Sequence, residues 1–282
     1  MAVEPSLGSE QRLRLPQVSL CAVTSINLKA TIRALEACLE QISFASCKLF
    51  TDASVRPADP AIQVVPISPL RSAADYSRFM LSELVDHVDT THCLVVQWDG
   101  HVLDSRQWRP EFLDYDYIGA PWPQFRDGHD VGNGGFSLRS RRLLEACRDP
   151  RFIGEHPEDV AICRTNREFL ECVHELRFAD REAAERFAYE RTTPNGTTFG
   201  YHGIFHMIPI LGPDRFWQIY LELDDRSTAF TDCHTLIRQL GAGRHTTTRR
   251  IRLMIDLLSG LRLPWVRLAD CLRSYRKLLT SF

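Results

Sequence analysis

The sequence predicts an α/β domain built on a mixed, mainly parallel sheet. Three observations lead there. Short apolar runs rich in β-branched residues alternate with helix-periodic segments through the first hundred residues. The expected strands end in polar residues, at Thr24-Ser25, Thr51-Asp52 and Gln97-Trp98-Asp99, and open α/β sheets bind ligands beyond the carboxyl ends of their strands. The chain has 282 residues, 44% apolar and 25% charged, enough for one large domain with a sizeable core.

Each element has its own signal. "VSLCAV", residues 18–23, is apolar and partly β-branched, so a strand. Residues 28–41 repeat apolar side chains at Leu28, Ile32, Leu35 and Leu39, the spacing of a helix face. Residues 48–50 and 62–67 read as a second and a third strand, and residues 76–88 as a helix burying Phe79, Met80, Leu84 and Val88. The strand 93–97 follows and ends at Trp98-Asp99. Beyond it come the aromatic "YDYIGAPWP", a glycine-rich loop running into a strand and helix in "DVGNGGFSLRSRRLLEAC", and "EHPEDVAICR", with Pro157 at a helix start. A loop with three glycines and two histidines, "TPNGTTFGYHGIFH", closes this part. From about Arg244 the chain reads as an arginine-rich helix interrupted at Pro264. The expected division is an extension (1–17), a catalytic-type domain (18–240) and a basic helical tail (241–282).

The formal net charge of −2 is uneven: residues 241–282 carry +7 and the remainder −9. Nucleic acid is not an expected partner. The nine cysteines lack any C-x-x-C spacing and sit mostly in apolar periodic segments, which points to reduced core residues in a reducing compartment. Residues 1–17 contain no continuous apolar stretch and nothing reaches the length of a membrane span. The expected location is cytoplasmic. Basic and apolar residues alternate over 249–263, a composition that suits either an interfacial helix touching anionic lipid or a helix packed on the body.

The motifs "DYSRFML", "LVVQWDG", "YDYIGAPW", "GNGGFSLRSRRLL", "PEDVAICR" and "FGYHGIFH", in that order, resemble the GT-A glycosyltransferases, nucleotide-sugar-dependent enzymes with a Rossmann-like front half. More closely, the chain looks like a little-characterised family placed in that superfamily. The likeness covers residues 18–207.

The resemblance implies a role for each motif. GT-A enzymes commonly end a central strand in Asp-x-Asp, whose last carboxylate holds a divalent cation against the sugar-nucleotide diphosphate. Here Gln97 replaces the first acid. Asp99 would hold Mn²⁺ or Mg²⁺, hard cations suited to carboxylate and phosphate oxygens, and Gln97 and Trp98 would face the ribose and donor. Asp-Gly is also a turn signal in its own right. His202 would complete the metal site, an imidazole mildly favouring Mn²⁺; a structural loop histidine is the other reading. Of the acidic pair, Asp159 would take the proton from an acceptor hydroxyl and Glu158 would bind the acceptor, unless both serve a helix N-terminus. Asn133, Gly134 and Gly135 would line the donor pocket. Thr24 and Asp52 would hold the nucleoside, or else form turns. Arg78 would face the diphosphate, or else make a surface ion pair. Trp122 would stack on a sugar or be a core residue.

The implied activity is transfer of a sugar from a nucleotide diphosphate donor, UDP-linked by expectation, to a glycan or lipid-linked acceptor, with inversion. The loss of the first acid leaves open a degenerate module that binds sugar or nucleotide without turnover. A nucleotidyltransferase would need a glycine- and basic-rich N-terminal loop, and "VTSINLKAT" has no glycine and one lysine.

Overall fold

The computed structural model describes residues 12–242 and 246–260. The expected extension therefore lies mostly outside the described residues, as do Cys271 and the tail beyond residue 260. The chain divides into two compact units, at His202/Gly203, not at the expected boundary near residue 240.

The first unit holds two sheets. β1 (Leu13–Val23), α1 (Leu28–Gln41), β2 (Ile42–Thr51), β3 (Ile62–Pro66), α2 (Ala73–Ser82) and β4 (His92–Val96) follow in order. β5 (Gly100–Val102), β6 (Tyr117–Ile118), β7 (Phe136–Ser140) and α3 (Arg141–Ala146) come next. After these come the single turn α4 (Glu158–Val160), a π-helical turn at Ala161–Thr165, α5 (Arg167–Val173), α6 (Arg181–Phe187), β8 (Ala188–Tyr189) and β9 (Gly200–His202). The larger sheet runs β3-β2-β1-β4-β7-β6. β1 to β4 are mutually parallel, and β7 is antiparallel to both of its neighbours. The fold is the expected α/β class with a mostly parallel central sheet.

Successive residues of β4 serve opposite faces, as the two-residue period of a strand requires. Leu94 and Val96 join a core with Leu20, Leu35, Leu49 and Phe136, while Cys93 and Val95 join Phe50, Phe79, Met80 and Leu84 on the other side. A sheet covered on both faces needs apolar side chains on both, so β4 is apolar from Cys93 to Val96.

β1 begins five residues earlier than expected. Leu13 to Leu15 pair with Ile42 to Phe44, and pairing with β2 resumes at Ser19 after an irregularity between Leu15 and Ser19 that contains Pro16; proline cannot donate to a ladder. α1 passes directly into β2 with no polar loop between them. α2 stops at Ser82, and the expected last turn tightens into a 3₁₀ turn at Leu84–His87. Pro157 is the residue before α4, its cap position. Among the described residues eight cysteines form no disulfide, and seven of these are buried.

The second unit contains α7 (Ile204–Leu211), α8 (Pro213–Glu222), α9 (Ser227–Thr231), α10 (Cys233–Gln239) and α11 (Thr246–Gly260). α11 buries Leu253 and Leu257 and exposes Ile251, Ile255 and Leu258. Arg249 pairs with Asp214 and Arg252 with Asp256. Among the described residues no helix is long and apolar enough to cross a membrane.

Candidate functional site

The site forms where β4 stops. Gln97 to Asp99 make a turn, closed by the Gly100 N–H donating to the Gln97 carbonyl (3.1 Å), so Asp99-Gly100 does act as a turn. That turn leads into β5, which pairs antiparallel with β9 so that Gly100 lies opposite His202. β8 pairs with the other edge of β9, Tyr189 beside Tyr201, and Glu190 comes next in the chain. This three-stranded sheet brings together residues 99, 202 and 190, which are far apart in sequence.

Asp99 is buried, 4% exposed. Its Oδ1 stands 3.3 Å from His202 Nε2, but Oδ1 accepts no hydrogen bond. His202 Nε2 lies at the same distance from Gln97 Oε1. Gln97 Nε2 in turn donates to the Tyr76 hydroxyl (3.2 Å). Gln97 is thus a bridge between a phenol and an imidazole. On the other side of the ring, His202 Nδ1 is 3.7 Å from Glu190 Oε1, an ion-pair distance too long for a hydrogen bond. Asn133 Nδ2 donates to Glu190 Oε2 (2.6 Å). Burial works against charge on His202, but the Asp99 and Glu190 carboxylates outweigh it and hold the imidazole up at about 10. Burial likewise resists charge on Glu190, and His202 overcomes it, lowering that carboxyl below its ordinary range.

The glycine-rich loop joins this group to the acidic pair. The Gln97 N–H donates to the Gly135 carbonyl (2.8 Å), and a Cβ on Gly135 would stand 2.1 Å from His202 Nε2. The Gly134 N–H donates to Asp159 Oδ2 (3.0 Å), and a Cβ there would stand 2.4 Å from Glu158 Oε1. Both glycines allow the loop to press against the chain's own side chains. Glu158 is buried and pairs with Arg139 Nη2 at 3.0 Å, both side chains nearly or fully inaccessible. Ser77 Oγ contacts Glu158 Oε2 (3.5 Å) and His156 Nδ1 (2.9 Å). Asp159 is partly exposed beside this pair. Burial and the Glu158 charge raise its carboxyl above the usual range. Burial and Glu158 also push the Tyr76 phenol up.

The structure brings together eight of the expected residues: Gln97, Asp99, Asn133, Gly134, Gly135, Glu158, Asp159 and His202. The others make no hydrogen bond or ion pair to this group. Thr24 spends its hydroxyl on a turn with Ile26. Asp52 is exposed just past β2, and Trp98 is half-buried. Arg78 is 68% exposed and pairs with Asp75 one turn earlier, as a surface ion pair. Trp122 is buried, with its ring lying where a Cβ on Gly132 would fall. Sequence reasoning missed Glu190, Arg139 and Ser77. Arg139 alone had a visible signal, a charge at an inward position of a strand within "GFSLRS".

Among the described residues no three His, Cys, Asp or Glu side chains form a ready metal cage. Asp99 and His202 still fit a hydrated divalent cation. Two ligands at about 2.1 Å and at right angles stand roughly 3 Å apart, close to the observed 3.3 Å, and Asp99 Oδ1 is an acceptor lacking a donor. Phosphate and water would have to supply the remaining positions, as they commonly do for Mg²⁺. A separate cavity of about 340 Å³ opens at the other end of β4 and β7, beside His92, Asp116 and Ser140. The Asp116 carboxylate there is already satisfied by the Ser140 hydroxyl (2.5 Å) and the Arg177 N–H (2.8 Å).

No curated protein matches the sequence. Among solved structures, the mannosyltransferase PcManGT from Pyrobaculum calidifontis, in complex with GDP-Man and Mn²⁺, is 11% identical. It covers 96% of this chain and 83% of its own, with a TM-score of 0.41. A197 from STIV is 15% identical over 57% of this chain and 80% of its own, with a TM-score of 0.32. Neither likeness bears on activity. Residues 60–202 match the family described as "Protein of unknown function (DUF5672)". That segment exceeds half the chain and contains every residue of the cluster from Tyr76 to His202, and the chain belongs to this family.

Proposed function

We propose that the protein is a glycosyltransferase that moves a sugar from a nucleotide diphosphate donor to an acceptor hydroxyl. The observation that supports this most is the meeting of Asp99 and His202 at the end of β4, 3.3 Å apart, with the raised Asp159 carboxyl joined to them through Gly134-Gly135. The resemblance implied that pairing, although the two stand 103 positions apart in sequence.

Asp99 Oδ1 and His202 Nε2 would hold the cation, which when bound would offset charge developing on the departing diphosphate. Gln97 keeps the ring in place from the Tyr76 side. Asp159 is the group that takes the acceptor proton: its Oδ2 is fixed by the Gly134 N–H, and its raised carboxyl suits a base working closer to neutrality. Glu158 enters as the partner of Arg139, which braces the loop behind Asp159. With Asp159 acting only as a base, the acceptor oxygen would attack the anomeric carbon directly as it gives up its proton, and the nucleotide diphosphate would leave from the opposite face, which inverts the configuration.

The test is incubation with UDP- and GDP-sugars and Mn²⁺, reading nucleotide release. Release that disappears in Asp99→Ala and Asp159→Asn is expected. Absence of both binding and release across a broad donor panel sinks the reading. One observation favours a second reading, a binding module without turnover. Gln97 stands where the first acid would, and it already occupies the His202 nitrogen that a cation needs. Sugar or nucleotide binding with no release in the wild type would select that module.

A further inference from the structure

We propose that Glu190, braced by Asn133, is a positioning residue that fixes the plane of the His202 imidazole so that Nε2 faces Asp99; its consequence for metal rests on the cation reading above. Three observations carry it. The β8–β9 register sets Tyr189 beside Tyr201, so the residues that follow, Glu190 just past β8 and His202 at the end of β9, come near each other. The two ring nitrogens face different carboxylates, Nε2 toward Asp99 at 3.3 Å and Nδ1 toward Glu190 at 3.7 Å. Glu190 is itself held, its other oxygen accepting from Asn133 Nδ2 at 2.6 Å.

The chemistry follows from the two-sided nature of imidazole. A histidine that binds a cation through one nitrogen is oriented by what its other nitrogen faces, and a carboxylate there also makes the ligating nitrogen more basic. A small turn of the ring closes 3.7 Å to hydrogen-bond length. The Gly135 backbone lies against the ring on the Nε2 side, where a Cβ would stand 2.1 Å from Nε2, and Glu190 faces the ring from the Nδ1 side. Asn133 adopts a left-handed backbone, φ 61, a conformation asparagine tolerates better than most residues, and its Oδ1 also accepts from the Gly135 N–H (3.2 Å). One side chain thus ties the carboxylate behind His202 to the loop in front of it.

The experiment has two arms, with Glu190→Ala, Glu190→Leu and Glu190→Gln. The first is the crystal structure of each variant without metal. The ring should turn away from Asp99 in the alanine and leucine variants and keep its plane in the glutamine variant, which still presents an acceptor. The second is Mn²⁺ affinity by electron paramagnetic resonance. Affinity should fall about 10- to 100-fold in Glu190→Ala and Glu190→Leu, the usual effect of losing an outer partner of a metal-binding histidine, and recover most of the way in Glu190→Gln. An unchanged ring plane in both truncated variants overturns the proposal. If the wild type takes up no Mn²⁺, the cation reading falls, and the ring plane still decides the role of Glu190. The leucine variant fills the volume of the lost side chain, so an effect of cavity formation alone would appear in the alanine variant and not in it.

Discussion

Gly128 and Gly135 respond to alanine for opposite reasons. Gly128 has φ +81 with nothing within 4 Å of a built Cβ, so Gly128→Ala meets only backbone strain, about 1–2 kcal/mol. Gly135 has no such backbone demand, but its Cβ would overlap the His202 ring at 2.1 Å. Gly135→Ala should cost a similar 1–3 kcal/mol as overpacking, and it should abolish donor turnover while Gly128→Ala keeps it. Comparing thermal melts with nucleotide release separates the two. Asp159 gives the pH dependence. Burial and Glu158 raise its folded carboxyl, so the folded state holds that proton more tightly than the unfolded chain, where the value is about 3.9. The contribution to stability is fully present below that unfolded value and is lost as pH rises through the raised folded one. At neutral pH the ionised group costs stability. Asp159→Asn should therefore raise Tm at pH 7, and the gain should shrink as pH is lowered toward 4. Turnover by the wild type should fall over the same window as its base becomes protonated.

The pairing of β7 with α4 rests on Arg139 and Glu158, a charge pair with both partners out of water. Removing one partner leaves an unpaired buried charge, so Arg139→Met or Glu158→Gln should cost about 3–5 kcal/mol in denaturant unfolding. The double variant Arg139→Met/Glu158→Met should recover most of that loss. Arg78→Ala, at an exposed pair, should leave the unfolding midpoint in place. The same contrast marks what the sequence could tell. The strand-helix alternation and the polar strand ends were legible because burial on both faces makes apolar runs stop abruptly. Asp99 and His202 stood out only through the resemblance of the motifs that carry them. Glu190 did not, because its place depends on the register of β8, a strand of two residues, too short to leave a pattern. The early start of β1 was hidden by Pro16, and the α1–β2 junction by the absence of any turn residue. Arg78 and Thr24 looked like ligands because polar residues at strand and helix ends serve turns and surface pairs equally well.

Binding to the native state should be visible as stability of the whole chain. A ligand that binds only the folded protein stabilises it by about 2.7 kcal/mol at 100 times its Kd. For a unit of roughly 200 residues, each kcal/mol moves Tm by about 2–4 °C, so a saturating nucleotide-sugar with Mn²⁺ should raise Tm by roughly 5–10 °C. The pattern across variants tells which residues bind and which react. Asp99→Ala removes a carboxylate facing the proposed cation, so its shift should vanish along with its turnover. Asp159→Asn removes a proton acceptor while its amide oxygen can still accept from the Gly134 N–H, so its shift should persist although turnover is lost. A shift that survives Asp99→Ala would move donor binding away from the end of β4. A wild-type shift without nucleotide release would place the chain among binding modules, with Gln97 as the residue that cost it the reaction. Gln97→Asp, which would supply the Asp-x-Asp that the resemblance expects, should then gain turnover, measured as nucleotide release above that of the wild type.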